Sequence, residues 1–252
     1  MQYYAPVREN ADGNMKYQTV AQHLTGTAEL CRKFAAAFGA EADGKLAGLT
    51  HDIGKCTDAF QNRLLNDGPI VDHATAGAVA CAIRGNRYIS ACVAGHHGGL
   101  PDFGNMRTAR KDDGTLYGRL LKGREEQCLE RCGDCGVKLP PPMASEAQSL
   151  ASLQASFWTR MLYSCLVDAD FLDTEQFMNG ERGRGGYDDI PMLLERLQAY
   201  IEPWQQPRTE LNRLRCEMLN TCIEARSKPK GIYTLTVPTG GGKTVASLAF
   251  AL

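Results

Sequence analysis

Five histidines constrain this chain more than any other feature: His23, His51, His73, His96 and His97 all fall in the first 97 of 252 residues, and none follows. A single histidine on an apolar face is more often a core residue bonded to a carbonyl than a ligand. Five independent core histidines would have no reason to gather at one end, nor two of them to sit side by side. A polynuclear metal site does gather them, because imidazole nitrogen and carboxylate oxygen together bind Mn, Fe, Co, Ni or Zn. The carboxylate is at hand in Leu49-Thr50-His51-Asp52-Ile53-Gly54-Lys55. The set reads as the site of a metallohydrolase, so the fold must bring these positions together.

The intervening sequence says how. Val20, Leu24, Ala28, Cys31, Phe34 and Phe38 recur at helical spacing, and Gly39 is a plausible stop. Further helices are expected over about 45–53, 57–65, 72–84 and 88–95. The first of these carries His51-Asp52 in its last turn before Gly54. The third opens with His73, and the fourth runs into His96-His97-Gly98-Gly99. Neighbouring residues on a helix point about 100° apart, so a doublet in mid-helix would not serve one cavity. At a helix end the backbone can turn, and Gly54, Gly98 and Gly99 are expected to supply that freedom. The ligands are thus placed on converging helix ends.

Beyond residue 100 the character changes. Arg107, Arg110, Lys111, Arg119, Lys122 and Arg124 form a basic stretch, diluted by Asp112 and Asp113. Such runs are usually a solvated face, but beside a phosphodiester-cleaving site this one could track a nucleic-acid backbone. Lys138-Leu-Pro-Pro-Pro142 reads as a stiff connector. A long helical pattern over about 145–172 ends in Asp168-Ala169-Asp170-Phe171. Both aspartates lie in apolar context, where a buried carboxylate is costly without a cation or donor. Residues 179–186, rich in glycine, read as a flexible linker, followed by helices over about 190–201 and 209–226.

Composition bounds the rest. With 43% hydrophobic and 23% charged residues the chain is an ordinary globular one, and a net charge of −1 gives no global pull toward nucleic acid. No apolar run is long enough for a membrane span, and the first residues show no secretory signal, so the expected address is cytoplasmic. Most of the ten cysteines sit in apolar helical stretches, where a thiol acts as a small hydrophobe. Cys128-x3-Cys132-x2-Cys135 has the spacing of half a zinc site, with no fourth ligand evident nearby.

The last residues carry a second signal. Ile232 to Val237 reads as a buried strand, then comes Pro238-Thr239-Gly240-Gly241-Gly242-Lys243-Thr244 and an apolar helix start. Strand, glycine loop and helix form a phosphate-binding loop: backbone amides and Gly240, Gly241 and Gly242 cradle phosphates, Lys243 reaches the β/γ-phosphates and Thr244 ligands Mg²⁺. The strict pattern wants glycine at Val237, so only the looser helicase form fits. With eight residues after Thr244, no second acidic motif and no arginine finger follow. The chain is therefore expected to come from a longer protein, and not to hydrolyse ATP alone.

The ordered set of His, His-Asp, His, His-His and late Asp, with a superfamily-two loop downstream, resembles the HD-type nuclease–helicase of type I CRISPR systems. The resemblance spans the whole chain: an HD nuclease domain over 1–186, then the truncated start of a RecA-like helicase domain over 187–252. It implies that His23, His51, Asp52 and Asp170 hold one divalent transition metal, and that His73, His96 and His97 hold a second, with Asp52 bridging. Mn, Fe, Co or Ni are favoured by histidine-rich ligation, and Mg is the less suited alternative. Asp170 matches the family's Ala-Asp-aromatic pattern, with Asp168 as competitor. Lys55 matches its His-Asp-x-Gly-Lys, and would touch the scissile phosphate or order the site.

The implied activity is metal-dependent endo- and exonucleolytic cleavage of single-stranded DNA, coupled in the longer protein to an ATP- and Mg-dependent helicase and recruited by the type I CRISPR surveillance complex. Two other readings compete: an HD nucleotide phosphohydrolase, and a vestigial docking module for that complex. The expected fold class is mainly α, with an α/β start to the helicase. The tail past residue 191 is expected to be marginal on its own.

Overall fold

The computed structural model describes residues 2–9, 12–123, 125–142, 145–180 and 185–252. Helix makes up 61% and strand 5% of the described residues, so the fold is mainly helical. The elements in chain order are β1 (Tyr4–Glu9), β2 (Met15–Thr19), α1 (Val20–Ala35), α2 (Glu41–Thr50), a 3₁₀ turn (Ile53–Cys56), α3 (Asp58–Asn66), α4 (Ala74–Ala82) and α5 (Arg87–Gly95). They continue with α6 (Leu116–Leu120), α7 (Glu125–Asp134), α8 (Ser152–Asn179), α9 (Ile190–Ile201), α10 (Glu210–Ala225) and α11 (Lys243–Ala251). The chain divides into two compact units, residues 1–182 and 183–252.

Helix α1 begins where the sequence supplies a reciprocal cap. The Thr19 hydroxyl accepts from the Gln22 backbone amide at 3.1 Å, and the Gln22 side-chain Oε1 accepts from the Thr19 backbone amide at 3.0 Å. Its buried face is Val20, Leu24, Ala28, Cys31 and Ala35, and Gly39 ends the following turn at φ 73°. Small residues then let α2 approach α1 closely. A Cβ on Gly48 would stand 2.6 Å from the Ala28 nitrogen, and one on Gly44 would stand 2.8 Å from the Cys31 oxygen. Helix α4, Ala-Thr-Ala-Gly-Ala-Val-Ala-Cys-Ala, is buried over Ala74–Cys81, which fits its lack of a polar face.

Helix α8 lies along this assembly and buries Ala155, Trp158, Leu162, Cys165, Leu166 and Ala169 at helical spacing. Burial of each of its larger apolar side chains contributes roughly 1.5–3 kcal/mol. It is also what carries residues near 170 back to the first 100. The expected helix over 145–172 is displaced: a short 3₁₀ turn covers Glu146–Ser149, and α8 runs on to Asn179.

The structure departs from the sequence reading at three places. No strand forms over Ile232–Val237. A strand needs a neighbour to pair its amides and carbonyls, and among the described residues of the second unit there is none. Conversely, the antiparallel β1–β2 hairpin was not expected; Thr19 pairs with Tyr4, and a register shift between Tyr4 and Val7 accommodates Pro6. The basic stretch is not one solvated track: Arg107, Arg110, Lys111 and Lys122 are exposed, but Arg119 turns inward. Its guanidinium donates to the Ala94 carbonyl, to Thr75 Oγ1 at 3.3 Å and to Asp72 at 3.4 Å. Arg124, and residues 181–184 of the expected linker, lie outside the described residues.

The cysteine spacing has an apolar explanation. Cys128 and Cys132 are buried with Tyr3, Ala5, Val20 and Ile53, and Cys132 Sγ lies 2.9 Å from Cys56 Sγ. Among the described residues no cysteine joins a converging group of three or more metal-ligating side chains. No described helix is long and apolar enough to cross a membrane. The second unit packs Leu197, Ile201, Leu219, Cys222, Ala246 and Ala249 into its own small core.

Candidate metal centre and phosphate-binding loop

Helix ends carry His51, His73, His96 and His97, while His23 and Asp170 come from within α1 and α8. His23 projects from α1, His51 caps the end of α2, and Asp52 follows it at φ −121° and ψ 21° before the 3₁₀ turn. His73 stands just before α4, and His96 caps α5 with His97 beyond it. Asp170 comes from α8. Only part of the expected glycine freedom is used: Gly99 adopts φ 96°, whereas Gly54 does not adopt a positive φ. Gly54 is needed for closeness instead, since a Cβ there would stand 2.7 Å from the His73 backbone.

Two groups result. One ligand atom from each of His23, His51, Asp52 and Asp170 lies within 4.8 Å of the others, and so does one from each of Asp52, His73, His96 and His97. Asp52 belongs to both, one oxygen to each. Its Oδ2 lies 3.3 Å from His23 Nε2 and 3.4 Å from His51 Nε2. Its Oδ1 lies 3.4 Å from both His73 Nε2 and His96 Nε2. Asp170 Oδ1 completes the first group at 3.3 Å from His23 Nε2 and 3.5 Å from His51 Nε2. Asp168 joins neither and is exposed. Two residues along a helix turn a side chain by about 200°, so only one of the two aspartates can face the histidines.

The ring orientations suit cation binding. His51 Nδ1 lies 2.8 Å from the Gly48 carbonyl, His96 Nδ1 2.7 Å from Val93, and His73 Nδ1 3.2 Å from Val71. A carbonyl only accepts, so each Nδ1 carries a proton and each Nε2, the nitrogen left to bind a cation once any second proton is released, points into the cluster. Nitrogens then face nitrogens, His51 Nε2 against His23 Nε2 at 3.2 Å and His73 Nε2 against His97 Nε2 at 2.8 Å. Asp52 Oδ1 and His96 Nε2 are buried with no hydrogen-bond partner. Converging lone pairs and orphaned buried atoms of this donor chemistry fit divalent transition metals.

Electrostatics separate the two groups. Burial opposes charge on His23, yet Asp170, Asp173 and Asp52 outweigh it and push its pKa up to about 10. Burial likewise opposes charge on His51, and Asp52 and Asp170 push it up to about 9. Against its own burial, Asp52 is held well below the usual carboxylate range by Lys55 and His51, and Asp170 is lowered by His23 and His51. In the second group burial lowers His73, and burial with His96 lowers His97 to about 4.

These shifts make a stability prediction for metal-free protein. A folded-state pKa raised above the ordinary 6.5 means that the folded chain holds protons the unfolded chain has released. The contribution of His23 and His51 is therefore full below pH 6.5 and is lost as pH rises through about 9 to 10. Thermal melts of chelator-treated protein should fall steadily over that window, by about 2–4 °C for each kcal/mol lost. Protein loaded with Mn²⁺ has already released these protons and should show a smaller fall. Equal pH profiles for the two forms would refute the assignment.

Residues 20–131 match the HD domain. The matched segment holds all five histidines and Asp52, while Asp170 is reached only through α8. HD domains are metal-dependent hydrolases, and the His/Asp cluster here is able to bind divalent ions. No curated protein sequence matches the chain.

Lys55 lies beside the HD centre, its Nζ 2.6 Å from Asp52 Oδ2 and 5.6 Å from the Phe60 ring centroid. Sequence reasoning missed Asp173, one turn beyond Asp170 and 2.8 Å from His23 Nδ1. Its signal was the three-residue spacing from Asp170, which puts both carboxylates on one helix face.

In the second unit the glycine loop precedes α11. Gly240 and Gly242 take φ 83° and 89°, which disfavours any side chain at either position, and Lys243 opens the helix. Lys243 Nζ donates to the Val237 carbonyl at 2.9 Å, and Arg215 donates twice to the Gly240 carbonyl, at 3.0 and 2.6 Å. A cavity of about 570 Å³ adjoins the loop, lined by Trp204, Arg208, Asn212 and Arg215 among others.

Proposed function

We propose that this chain is a metal-dependent nuclease cleaving single-stranded DNA, working in a longer protein with an ATP-driven helicase and recruited by a type I CRISPR surveillance complex. The observation that carries the reading is Asp52, whose two oxygens face two separate sets of imidazole nitrogens. That is the arrangement of a carboxylate shared between two cations.

Divalent ions held by His23, His51, Asp52 and Asp170, and by Asp52, His73, His96 and His97, would acidify a water nucleophile and neutralise charge on a phosphodiester. The protein's part is placement. Asp52, His51 and His23 are fully enclosed, whereas His97 is exposed and the Asp170 side chain is 18% exposed. A phosphodiester thus approaches on the His97 and Asp170 side. Lys55, whose Nζ lies 2.6 Å from Asp52 Oδ2, would hold that carboxylate in orientation and contribute positive charge to the site.

The polynucleotide and helicase parts of the reading rest on the ordered ligand set and on the glycine loop preceding α11. ATP would sit with its phosphates at Gly240, Gly241, Gly242, Lys243 and Thr244, with Mg²⁺ on Thr244. The test is cleavage of circular single-stranded DNA by metal-stripped protein after adding Mn²⁺, Co²⁺, Ni²⁺ or Mg²⁺. Nicking with the transition metals is expected, and weaker nicking with Mg²⁺. Inertness toward DNA alongside turnover of mononucleotides would replace the nuclease by a nucleotide phosphohydrolase. Metal uptake with no hydrolysis of either would leave a docking module.

A further inference from the structure

We propose that Asp173 is a positioning residue for the first metal group, orienting His23 so that its Nε2 faces Asp52 and Asp170; the inference rests on reading His23 as a ligand. His23 is the exception among the ring orientations described above. His51, His73 and His96 each present Nδ1 to a backbone carbonyl, which holds the ring at no cost in side chains. His23, the fourth residue of α1, presents Nδ1 to a carboxylate instead, Asp173 Oδ2 at 2.8 Å. The carbonyls that hold His51 and His96 belong to last turns and are spare, whereas those at the start of α1 are committed to the helix ladder, so His23 finds its holder elsewhere.

Three independent parts of the chain build the seat. Asp173 is buried on α8 although its charge would favour solvent. Gln18, also buried and on β2 of the hairpin, donates from Nε2 to the same Oδ2 at 2.9 Å. Gly26 on α1 leaves the space: a Cβ there would overlap the Asp173 carboxylate. A carboxylate on the far nitrogen of a ligating histidine fixes its tautomer and raises the basicity of the nitrogen facing the metal. Removing such partners commonly costs about 10–100-fold in metal affinity.

The experiment is calorimetric titration of Mn²⁺ into metal-stripped full-length chain, comparing wild type, Asp173→Asn, Gln18→Ala and His23→Ala. Asp173→Asn keeps the shape and removes the charge. It is expected to weaken one of two Mn²⁺ equivalents by about 10-fold or more and leave the other unchanged. Gln18→Ala should weaken the same equivalent by less, and His23→Ala should remove it. If His23→Ala weakens that equivalent while Asp173→Asn binds as wild type does, the positioning role is overturned and the ligand reading stands. Equal weakening of both equivalents together with a lowered melting temperature makes Asp173 merely structural and also overturns it. Unchanged binding in His23→Ala removes the ligand reading, and the positioning role with it.

Discussion

Asp52→Ala is expected to end hydrolysis, with turnover of single-stranded DNA falling at least about a thousandfold, roughly 4 kcal/mol of barrier. The size follows from the shared position. Truncating any one histidine removes a ligand from one group, whereas truncating Asp52 removes an oxygen from both. It also leaves Lys55 Nζ without the carboxylate 2.6 Å away, and leaves imidazoles facing one another with less negative charge between them. Metal content by mass spectrometry should drop for both equivalents, with helicity by circular dichroism retained. His97→Ala makes the comparison, since that ring is exposed at the edge and belongs to one group. Wild-type cleavage by Asp52→Ala with two metals bound would rule out the bridging role.

The second large effect concerns the scaffold. Gly48→Ala should destabilise the first unit by about 3 kcal/mol, at the upper end of overpacking costs, and lower the melting temperature by about 6–12 °C. The added methyl would meet the Ala28 backbone of α1, and backbone cannot move aside as a side-chain tip can. Relief requires parting α1 from α2, the helices that carry His23 and His51, so metal affinity should fall with stability. Gly133→Ala is the control: it is helical and a Cβ there meets nothing within 4 Å. Denaturant titration of both variants decides the matter, and equal stability would mean that α1 and α2 are not in this close contact.

What could be read from the sequence was the part with chemical rarity. Five histidines with an adjacent aspartate stand out against any background, and glycine or capping residues mark the helix ends that carry them. Asp170 and Asp168 looked alike because apolar neighbours surround both. Only the angular phase of α8, set by its packing through Leu162, Leu166 and Ala169, turns one inward. Asp173 was signalled only by its spacing from Asp170, and its partners Gln18 and Gly26 lie about 150 residues earlier, where no local pattern points to them. The Ile232–Val237 run has strand composition, but composition cannot supply a neighbouring strand. The hairpin was missed although Asp12-Gly13, with Gly13 at φ 79°, is a common turn pair.

The two groups also differ in when they can exist. Every side chain of the second is in place in the sequence by His97, while the first waits for Asp170 on α8. On a ribosome adding roughly 5–20 residues per second, those moments are several seconds apart. A nascent chain therefore carries every residue of one group before the other is complete. On the proposed reading the pair is complete only once α8 has been made, so the last long helix of the unit supplies the final ligand to a set begun in the first hundred residues.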